Sequence, residues 1–281
     1  MKVAAVQLNS TGERASNIEA ADRHVRAAAA DGATLIVLPE KWPLIGGSKA
    51  LQEGAEPLDG PAVTWARQTA SELGIDLIAG SITERREGRE RLSNVSLHIG
   101  PDGEIKALYR KLHMFDVEIE GRVYRESEVE EPGEEIILSE TAAEGASGVP
   151  LGLTICYDLR FPELFRILAL RGASIVTLPS AFTRPTTRDH WEILVRARAI
   201  ENQVFMIAAN QVGLHPGNHE SGGRSMIVDP WGAILAEAPP EPCHIVAELD
   251  LERQEEIRAQ LPSLANRRED AYRWPVGEGV A

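Results

Sequence analysis

The chain has 281 residues, a formal net charge of −14 and a pI of about 5.0. This acidity argues against a nucleic-acid partner and against binding to an anionic membrane surface, because both attract basic proteins. The hydrophobic share of 43% and the charged share of 26% are typical of a globular protein that buries a sizeable core.

Strand-like and helix-like segments alternate along the first half of the chain. Short apolar runs predict strands, and the segment that begins with Gly60-Pro61 predicts a helix with proline in its first turn. A Pro-Asp-Gly turn at 101–103 predicts a β-hairpin. The elements predicted in this half are strands at 2–8, 34–38, 76–79, 92–99 and 105–110 and helices at 17–31 and 60–73.

The second half repeats the alternation. It predicts strands at 149–155, 175–178, 204–209, 225–228, 233–236 and 244–249. It also predicts one helix that begins at Pro162 and two further helices at 188–202 and 251–260. Hairpins mixed with strand–helix units predict sheets that contain antiparallel pairs and are covered by helices. Since no linker exceeds about 15 residues, we predict one domain, residues 1–272, and a C-terminal tail, residues 273–281.

The cysteines and the N-terminus exclude several classes of protein. Cys156 and Cys243 form no C-x-x-C pair, so neither a thiol-redox motif nor a metal cluster is indicated. The apolar run at the N-terminus ends at Asn9, which makes it too short for a signal peptide or a membrane span. We therefore predict a cytoplasmic protein without a bound metal.

Three reactive side chains each follow a predicted buried strand. They are Glu40, Lys111 and Cys156. A lone cysteine at such a position is more often inert, and a lone Glu or Lys is more often solvated. Loops that follow buried strands gather at one edge of an α/β sheet, however, so the shared position favours a common site.

The setting of Cys156 favours a nucleophile. It ends a strand, and a helix begins about five residues later, so backbone amides such as that of Tyr157 can stabilise a thiolate or an oxyanion. A partly desolvated Glu40 can move a proton to and from this thiol. The Lys111 ammonium can stabilise the negative oxygen of a tetrahedral intermediate.

Three motifs around these residues resemble the nitrilase superfamily of carbon–nitrogen hydrolases. They are Leu-Pro-Glu at 38–40, Tyr-Arg-Lys at 109–111 and Gly-Leu-Thr-Ile-Cys-Tyr-Asp-Leu-Arg-Phe-Pro-Glu at 152–163. The resemblance runs from Met1 to about Tyr272 and implies a four-layer α-β-β-α sandwich that pairs as a homodimer or a higher homo-oligomer. It also implies a catalytic triad of Glu40 as base and acid, Lys111 as oxyanion stabiliser and Cys156 as nucleophile.

The resemblance implies a second glutamate between the lysine and the cysteine. Tyr-Arg-Glu-Ser at 124–127 is similar to that segment of the family, so Glu126 is the candidate. Neighbouring acidic residues crowd the same stretch and are interpreted as solvated, namely Glu128, Glu130 and Glu131.

Further stretches resemble the omega-amidase and deaminated-glutathione amidase branch: 111–117, 180–183, 190–192, 196–202 and 229–232. The resemblance implies hydrolysis of the terminal amide of a small carboxamide, with release of ammonia through a cysteine thioester and with no cofactor. A nitrilase or an N-carbamoyl amino acid hydrolase is the alternative within the superfamily.

Other residues are candidates for contacts with the oxyanion or the substrate: Tyr157, Phe182, Thr183, Arg184 and Trp191. Large aromatic residues are more often part of the core, and Arg184 or Arg188 can equally be a solvated loop residue. Asp158 and Arg160 are interpreted as structural partners.

Two rival functions stay open. One is a Cys–His hydrolase that uses His113 or His190, and the other is a non-catalytic binding protein with the same fold.

Overall fold

The computed structural model describes residues 1–272, so the predicted tail at 273–281 lies outside the described residues. Seventeen strands are described in these residues. They are β1 (Lys2–Gln7), β2 (Leu35–Val37), β3 (Asp76–Ile78), β4 (Ile82–Glu84), β5 (Ser93–Ile99), β6 (Ile105–Arg110), β7 (Asp116–Ile119), β8 (Arg122–Arg125), β9 (Leu138–Glu140), β10 (Pro150–Leu153), β11 (Ile175–Ser180), β12 (Phe205–Asn210), β13 (Val212–His215), β14 (His219–Gly222), β15 (Met226–Val228), β16 (Ile234–Glu237) and β17 (Cys243–Glu248).

Within residues 1–272, seven α-helical segments connect or cover these strands. They are α1 (Arg14–Ala30), α2 (Ser48–Gly54), α3 (Pro61–Leu73), α4 (Pro162–Leu170), the single turn α5 (Arg184–Thr186), α6 (Glu192–Asn202) and α7 (Leu251–Gln260). A π-helical turn, Thr187–Trp191, joins α5 to α6. The helix predicted at 188–202 therefore starts with a wider turn than an α-helix has.

The first sheet has seven strands in the order β17-β1-β2-β3-β5-β4, and β6 pairs with the other edge of β5. The pairs β1–β2 and β2–β3 are parallel, and the remaining pairs are antiparallel. Successive side chains of β1 point to opposite faces, as strand geometry requires. Val3 and Ala5 enter one core, whereas Ala4 and Val6 enter a second core with α1 and α3.

The second sheet has six strands in the order β16-β15-β12-β11-β10-β9, with β10, β11 and β12 parallel. Its inner face packs on β1 and β2 of the first sheet. Helices α4 and α6 add Phe165, Leu168 and Val195 to the same core from outside. The layers are thus helices, sheet, sheet and helices, and the predicted α-β-β-α sandwich is confirmed.

Two small hairpins were not predicted from the sequence. Strands β7 and β8 pair around Glu120 and Gly121, and β13 pairs with β14. Both turn residues of the first hairpin have positive φ, 50° and 75°, as a tight two-residue hairpin turn requires. The signal lay in the sequence as two short segments of alternating polarity on either side of Glu-Gly, but both segments are largely polar.

Candidate active site

Glu40 lies where the first sheet meets the second. It follows β2 and is 3% exposed, and its backbone N–H donates to Ser180 O at 3.3 Å. The chain passes so close to Gly80 that a Cβ there would lie 2.1 Å from Pro39 O, and Gly80 has a φ of +52°. One carboxylate oxygen of Glu40, Oε1, accepts hydrogen bonds from Asn94 Nδ2 at 2.8 Å and from Lys111 Nζ at 3.1 Å.

Lys111 joins Glu40 to the predicted second glutamate. It follows β6, is 1% exposed, and donates to Glu126 Oε1 at 2.9 Å and to Glu126 Oε2 at 2.8 Å. Burial alone lowers the pKa of the Lys111 ammonium, but the charges of Glu126 and Glu40 outweigh burial and raise it well above its ordinary value. Lys111 therefore carries a positive charge at neutral pH.

Glu126 is held as a carboxylate. In addition to the two contacts with Lys111, its Oε2 accepts from Phe115 N at 2.7 Å, and its Oε1 accepts from Lys41 Nζ at 3.2 Å. Burial raises the pKa of the carboxyl, but the ammonium groups of Lys111 and Lys41 more than offset burial, so the pKa falls well below its usual range. Among the crowded glutamates at 126–131, Glu126 is the one bonded to Lys111.

Cys156 sits at a strained turn between β10 and α4. Its φ of +47° lies in the left-handed region, which costs a residue other than glycine about 1–3 kcal/mol. Asp158 holds the turn in place, because its Oδ2 accepts from Ile155 N at 2.8 Å and from Tyr109 Oη at 2.6 Å. Asp158 Oδ1 accepts from His113 N at 3.3 Å. The turn is therefore fixed to the segment on both sides of Lys111.

The charges around Cys156 act in opposite directions on its thiol. Burial and the nearby Glu40 carboxylate raise the pKa of Cys156 well above the ordinary value, whereas Lys111 and the backbone N–H of Ala181 lower it. The thiol is thus protonated at neutral pH, and Glu40 is the carboxylate whose charge acts on it.

These side chains open onto one cavity of about 320 Å³. Glu40, Lys111, Glu126 and Cys156 line it together. The two unpredicted hairpins supply part of its rim, and the residues they contribute are Val123, Tyr124, Arg125, His215, His219, Glu220 and Ser221. The volume is near the lower end of the range for ligand pockets, which fits a small substrate.

The structure divides the other predicted contact residues into two groups. Tyr157, Phe182 and Thr183 line the cavity. Arg184 does not, because its exposed guanidinium points to a neighbouring groove and pairs with Glu220 at 2.8 Å. Trp191 is fully buried behind Phe182, at a ring-centroid distance of 4.8 Å, so it supports that wall without reaching the cavity.

Arg160 and Lys41 line the cavity and were not predicted as site residues. Arg160 was interpreted as a structural partner of Asp158, but its guanidinium lies above the rings of Phe182 and Tyr157, 5.6 and 5.9 Å from their centroids. Lys41 follows Glu40 directly and is one of only five lysines in the chain. This rarity was the available signal for Lys41.

Neither histidine of the Cys–His hypothesis lines the cavity. His113 Nδ1 bonds Asp158 Oδ1 at 2.7 Å, and its ring stacks on Phe161 at 3.5 Å. His190 Nδ1 accepts from Arg160 at 3.3 Å. Within residues 1–272, no group of three or more His, Cys, Asp and Glu side chains is arranged to hold a metal ion.

The sequence as a whole matches the model of the carbon-nitrogen hydrolase family over residues 2–259. The chain belongs to this family. The human omega-amidase NIT2 is 36% identical over 272 residues, which cover 96% of each chain. The family match confirms the prediction of a hydrolase that acts on carbon–nitrogen bonds. The similarity to omega-amidases confirms the predicted amidase class.

Solved structures of the superfamily have the same fold. The NitFhit protein of C. elegans superposes with a TM-score of 0.87 at 35% identity, over 97% of this chain and 66% of that longer one. Nit3 of Saccharomyces cerevisiae, a member of the nitrilase superfamily, superposes with a TM-score of 0.85 at 30% identity over 97% of each chain. Among residues 1–272 of this hydrolase, no helix has the length and apolarity that crossing a membrane requires.

Proposed function

We propose that this hydrolase removes ammonia from the terminal amide of a small, carboxylate-bearing carboxamide, through a thioester at Cys156. One observation carries the proposal: Cys156, Glu40 and Lys111 open onto a small cavity that Arg160 also lines. The name of the human relative, omega-amidase, supports the same substrate class.

In the proposed acylation step, the Glu40 carboxylate accepts the Cys156 thiol proton as the sulfur attacks the amide carbon. A C–S bond forms, and the carbonyl electron pair moves to oxygen. The Lys111 ammonium stabilises this oxyanion. The N–H of Tyr157 assists, since the first amides of a helical turn lack an acceptor within the turn. Glu40 then returns the proton to nitrogen, the C–N bond breaks and ammonia leaves.

In the deacylation step, Glu40 accepts a proton from water as the water oxygen attacks the thioester carbon. The second oxyanion is stabilised by the same donors and collapses with cleavage of the C–S bond. Glu40 then returns the proton to the Cys156 sulfur. The net reaction converts an amide and water into a carboxylic acid and ammonia. Glu126 contributes by holding the Lys111 ammonium, with which it makes two contacts.

Arg160 is the proposed receptor for the substrate carboxylate. Its guanidinium donates to His190 Nδ1, and among residues 1–272 no carboxylate pairs with it. The aromatic rings of Tyr157 and Phe182 hold the guanidinium in place by cation–π contact. An arginine placed this way can bind a carboxylate with two parallel hydrogen bonds.

A panel of substrates tests the proposal. Hydrolysis should be fastest for α-ketoglutaramate, which releases ammonia, or for deaminated glutathione, which releases cysteinylglycine. It should be much slower for a simple nitrile, and an N-carbamoyl amino acid should also be poor. Preference for the nitrile or the carbamoyl compound would replace the proposal with the alternative activities of the superfamily.

Two arginine variants sharpen the panel. We expect Arg160→Met to raise KM for an anionic amide by about 10- to 100-fold, the equivalent of a charged hydrogen bond, while a neutral amide is little affected. Arg184→Met is the matched comparison, because Arg184 does not line the cavity and pairs with Glu220 at its rim. If Arg184→Met raised KM and Arg160→Met did not, the carboxylate site would be in the neighbouring groove.

We also propose a homodimer that forms through α6. Ile193, Ile200 and Trp231 are 69%, 46% and 58% exposed. The helix and the turn between β15 and β16 form one surface, since Arg196 Nε donates to Gly232 O at 2.9 Å. Light scattering should give a dimer mass for the wild type and a monomer mass for Trp231→Glu.

The cytoplasmic location stays a prediction, to be checked by cell fractionation.

A further inference from the structure

Lys41 and Glu130 form a second ion pair beside the proposed triad, and both residues line the same cavity. Lys41 Nζ lies 3.0 and 3.1 Å from the two carboxyl oxygens of Glu130, whose side chain is fully buried. The same Nζ lies 3.2 Å from Glu126 Oε1. Lys41 thus bridges two glutamates, of which one binds Lys111.

We propose that Lys41 and Glu130 are positioning residues that together keep Glu126 a carboxylate, and thereby keep the Lys111 ammonium at Cys156. This inference rests on the proposed function, in which Lys111 stabilises the oxyanion. In the proposed arrangement Lys41 acts through its charge. Glu130 acts as a neutral carboxylic acid that shares its proton with Glu126.

The donors decide which of the two glutamates carries the proton. Glu126 accepts from Phe115 N, from Lys41 and twice from Lys111. The side chain of Glu130 accepts from Lys41 alone within residues 1–272. Two adjacent buried carboxyls repel each other when both are ionised, so one proton stays with the pair. It stays on Glu130, the carboxyl with fewer donors.

The charges that face Glu130 agree with this assignment. They are Lys41, Glu126 and Lys111. Burial and the Glu126 carboxylate raise the pKa of Glu130 to about 8, although Lys41 opposes the rise. With Glu130 neutral, the buried carboxylates of Glu40 and Glu126 balance the ammonium groups of Lys111 and Lys41.

The backbone fixes both members of the pair. Lys41 adopts a φ of +49°, and its N–H donates to Ser81 Oγ at 3.0 Å. Glu130 lies one helical turn after Glu126, and its N–H donates to Glu126 O at 2.9 Å. The two carboxyls and the bridging ammonium are therefore held together by rigid segments, as a positioning function requires.

The Lys41→Met variant tests the role of the charge. Methionine keeps the Cβ and the unbranched chain but removes the ammonium, so the pKa of Glu126 should rise. We expect the acidic limb of the kcat/KM profile to move to higher pH by about one unit, which is a tenfold change in proton affinity. Lys106→Met is the matched control, because Lys106 pairs with Asp102 in an outer hairpin, and its limb should not move.

Two substitutions of Glu130 test the proton. The amide of Glu130→Gln can donate to Glu126 as a protonated carboxyl does. The activity of this variant and the acidic limb of its kcat/KM profile should therefore stay close to wild type. Leucine in Glu130→Leu cannot donate, so the acidic limb of the kcat/KM profile should move to higher pH. This move should be smaller than that of Lys41→Met. The proposal is overturned if the glutamine variant is no better than the leucine variant. These two variants also decide the question should Lys41→Met fail to fold.

A second readout separates this inference from the proposed function. The rate at which iodoacetamide alkylates Cys156, followed by peptide mass spectrometry from pH 5 to 9, depends on the same charges but needs no substrate. The alkylation profile of Lys41→Met should differ from that of wild type, whereas Lys106→Met should match wild type. Identical profiles for all three would contradict the inference. Failure of the wild type to hydrolyse any amide would contradict only the proposed function.

Discussion

Two of the buried polar clusters that link the sheets within residues 1–272 differ in whether they open onto a cavity. In the first, Glu40, Lys111, Glu126 and Cys156 line the cavity. In the second, fully buried His98 bonds Asp76 at 3.0 Å and Ser139 Oγ at 2.7 Å. Asp, His and Ser in a row resemble the chemistry of a hydrolase, yet none of these three side chains lines the active-site cavity.

The difference lies in how each cluster uses its hydrogen-bonding capacity. Asp76 accepts from the N–H groups of Ala142 and Ala143 as well as from His98, so its acceptor sites are occupied by the fold. The cluster of Glu40, Lys111, Glu126 and Cys156 instead consists mainly of charged side chains, and the strained Cys156 lies beside them. A set of reactive residue types becomes a site only where groups stay available to a ligand.

The largest expected effect comes from Glu40→Gln. This change removes the proposed base but keeps the shape of the side chain, so kcat should fall by about 10²- to 10⁴-fold. Circular dichroism should show an unchanged fold. The His113→Ala variant is the matched test of the Cys–His hypothesis. That hypothesis would gain support if His113→Ala were inactive while Glu40→Gln retained activity.

Asp76→Ala should have the opposite effects, with a large loss of stability and little change in activity. It leaves two backbone N–H groups and His98 without their acceptor, so the free energy of unfolding should fall by about 3 kcal/mol. The change in kcat/KM should stay within about threefold, because no side chain of the active site contacts this cluster. Urea unfolding checks the first value, and Asp102→Ala, at an exposed turn, is the control. A large loss of activity in folded protein would mean that the two clusters are coupled.

A pH dependence of stability should arise from Glu130. Its folded pKa of about 8 lies above the usual value for an unfolded glutamate, about 4.3. Between these values the folded state binds more protons, so the free energy of unfolding should fall as pH rises. Glu130→Gln lacks this dependence and should gain stability relative to wild type from pH 5 to 8. A constant difference in urea unfolding across this range would argue against a protonated Glu130.

Much of the fold could be predicted from the sequence because its strands are buried on both faces. Apolar runs such as that of β2 and helices such as α7 are visible as patterns, and their predicted bounds differ little from the observed ones. The hairpins β7–β8 and β13–β14 could not be predicted in the same way. Their function is to shape the rim of a cavity, so they carry polar residues where a core strand carries apolar ones.

The site was predictable in part for the same reason. Glu40, Lys111 and Cys156 each follow a buried strand, and the structure brings them to one cavity. Lys41, Glu130 and Arg160 have no such marker, since their importance depends on which side chains they meet across the fold. Trp191 shows the opposite limit, because an aromatic residue in a recognisable motif proved to be core.

Cleavage of the amide through a thioester on Cys156 can be tested directly. The most direct measurement is rapid acid quenching during turnover of α-ketoglutaramate, followed by peptide mass spectrometry. We expect an acyl adduct on the peptide that contains Cys156, none on Cys243, and neither adduct nor ammonia release in a folded Cys156→Ala variant. Ammonia release by Cys156→Ala at the wild-type rate would contradict it.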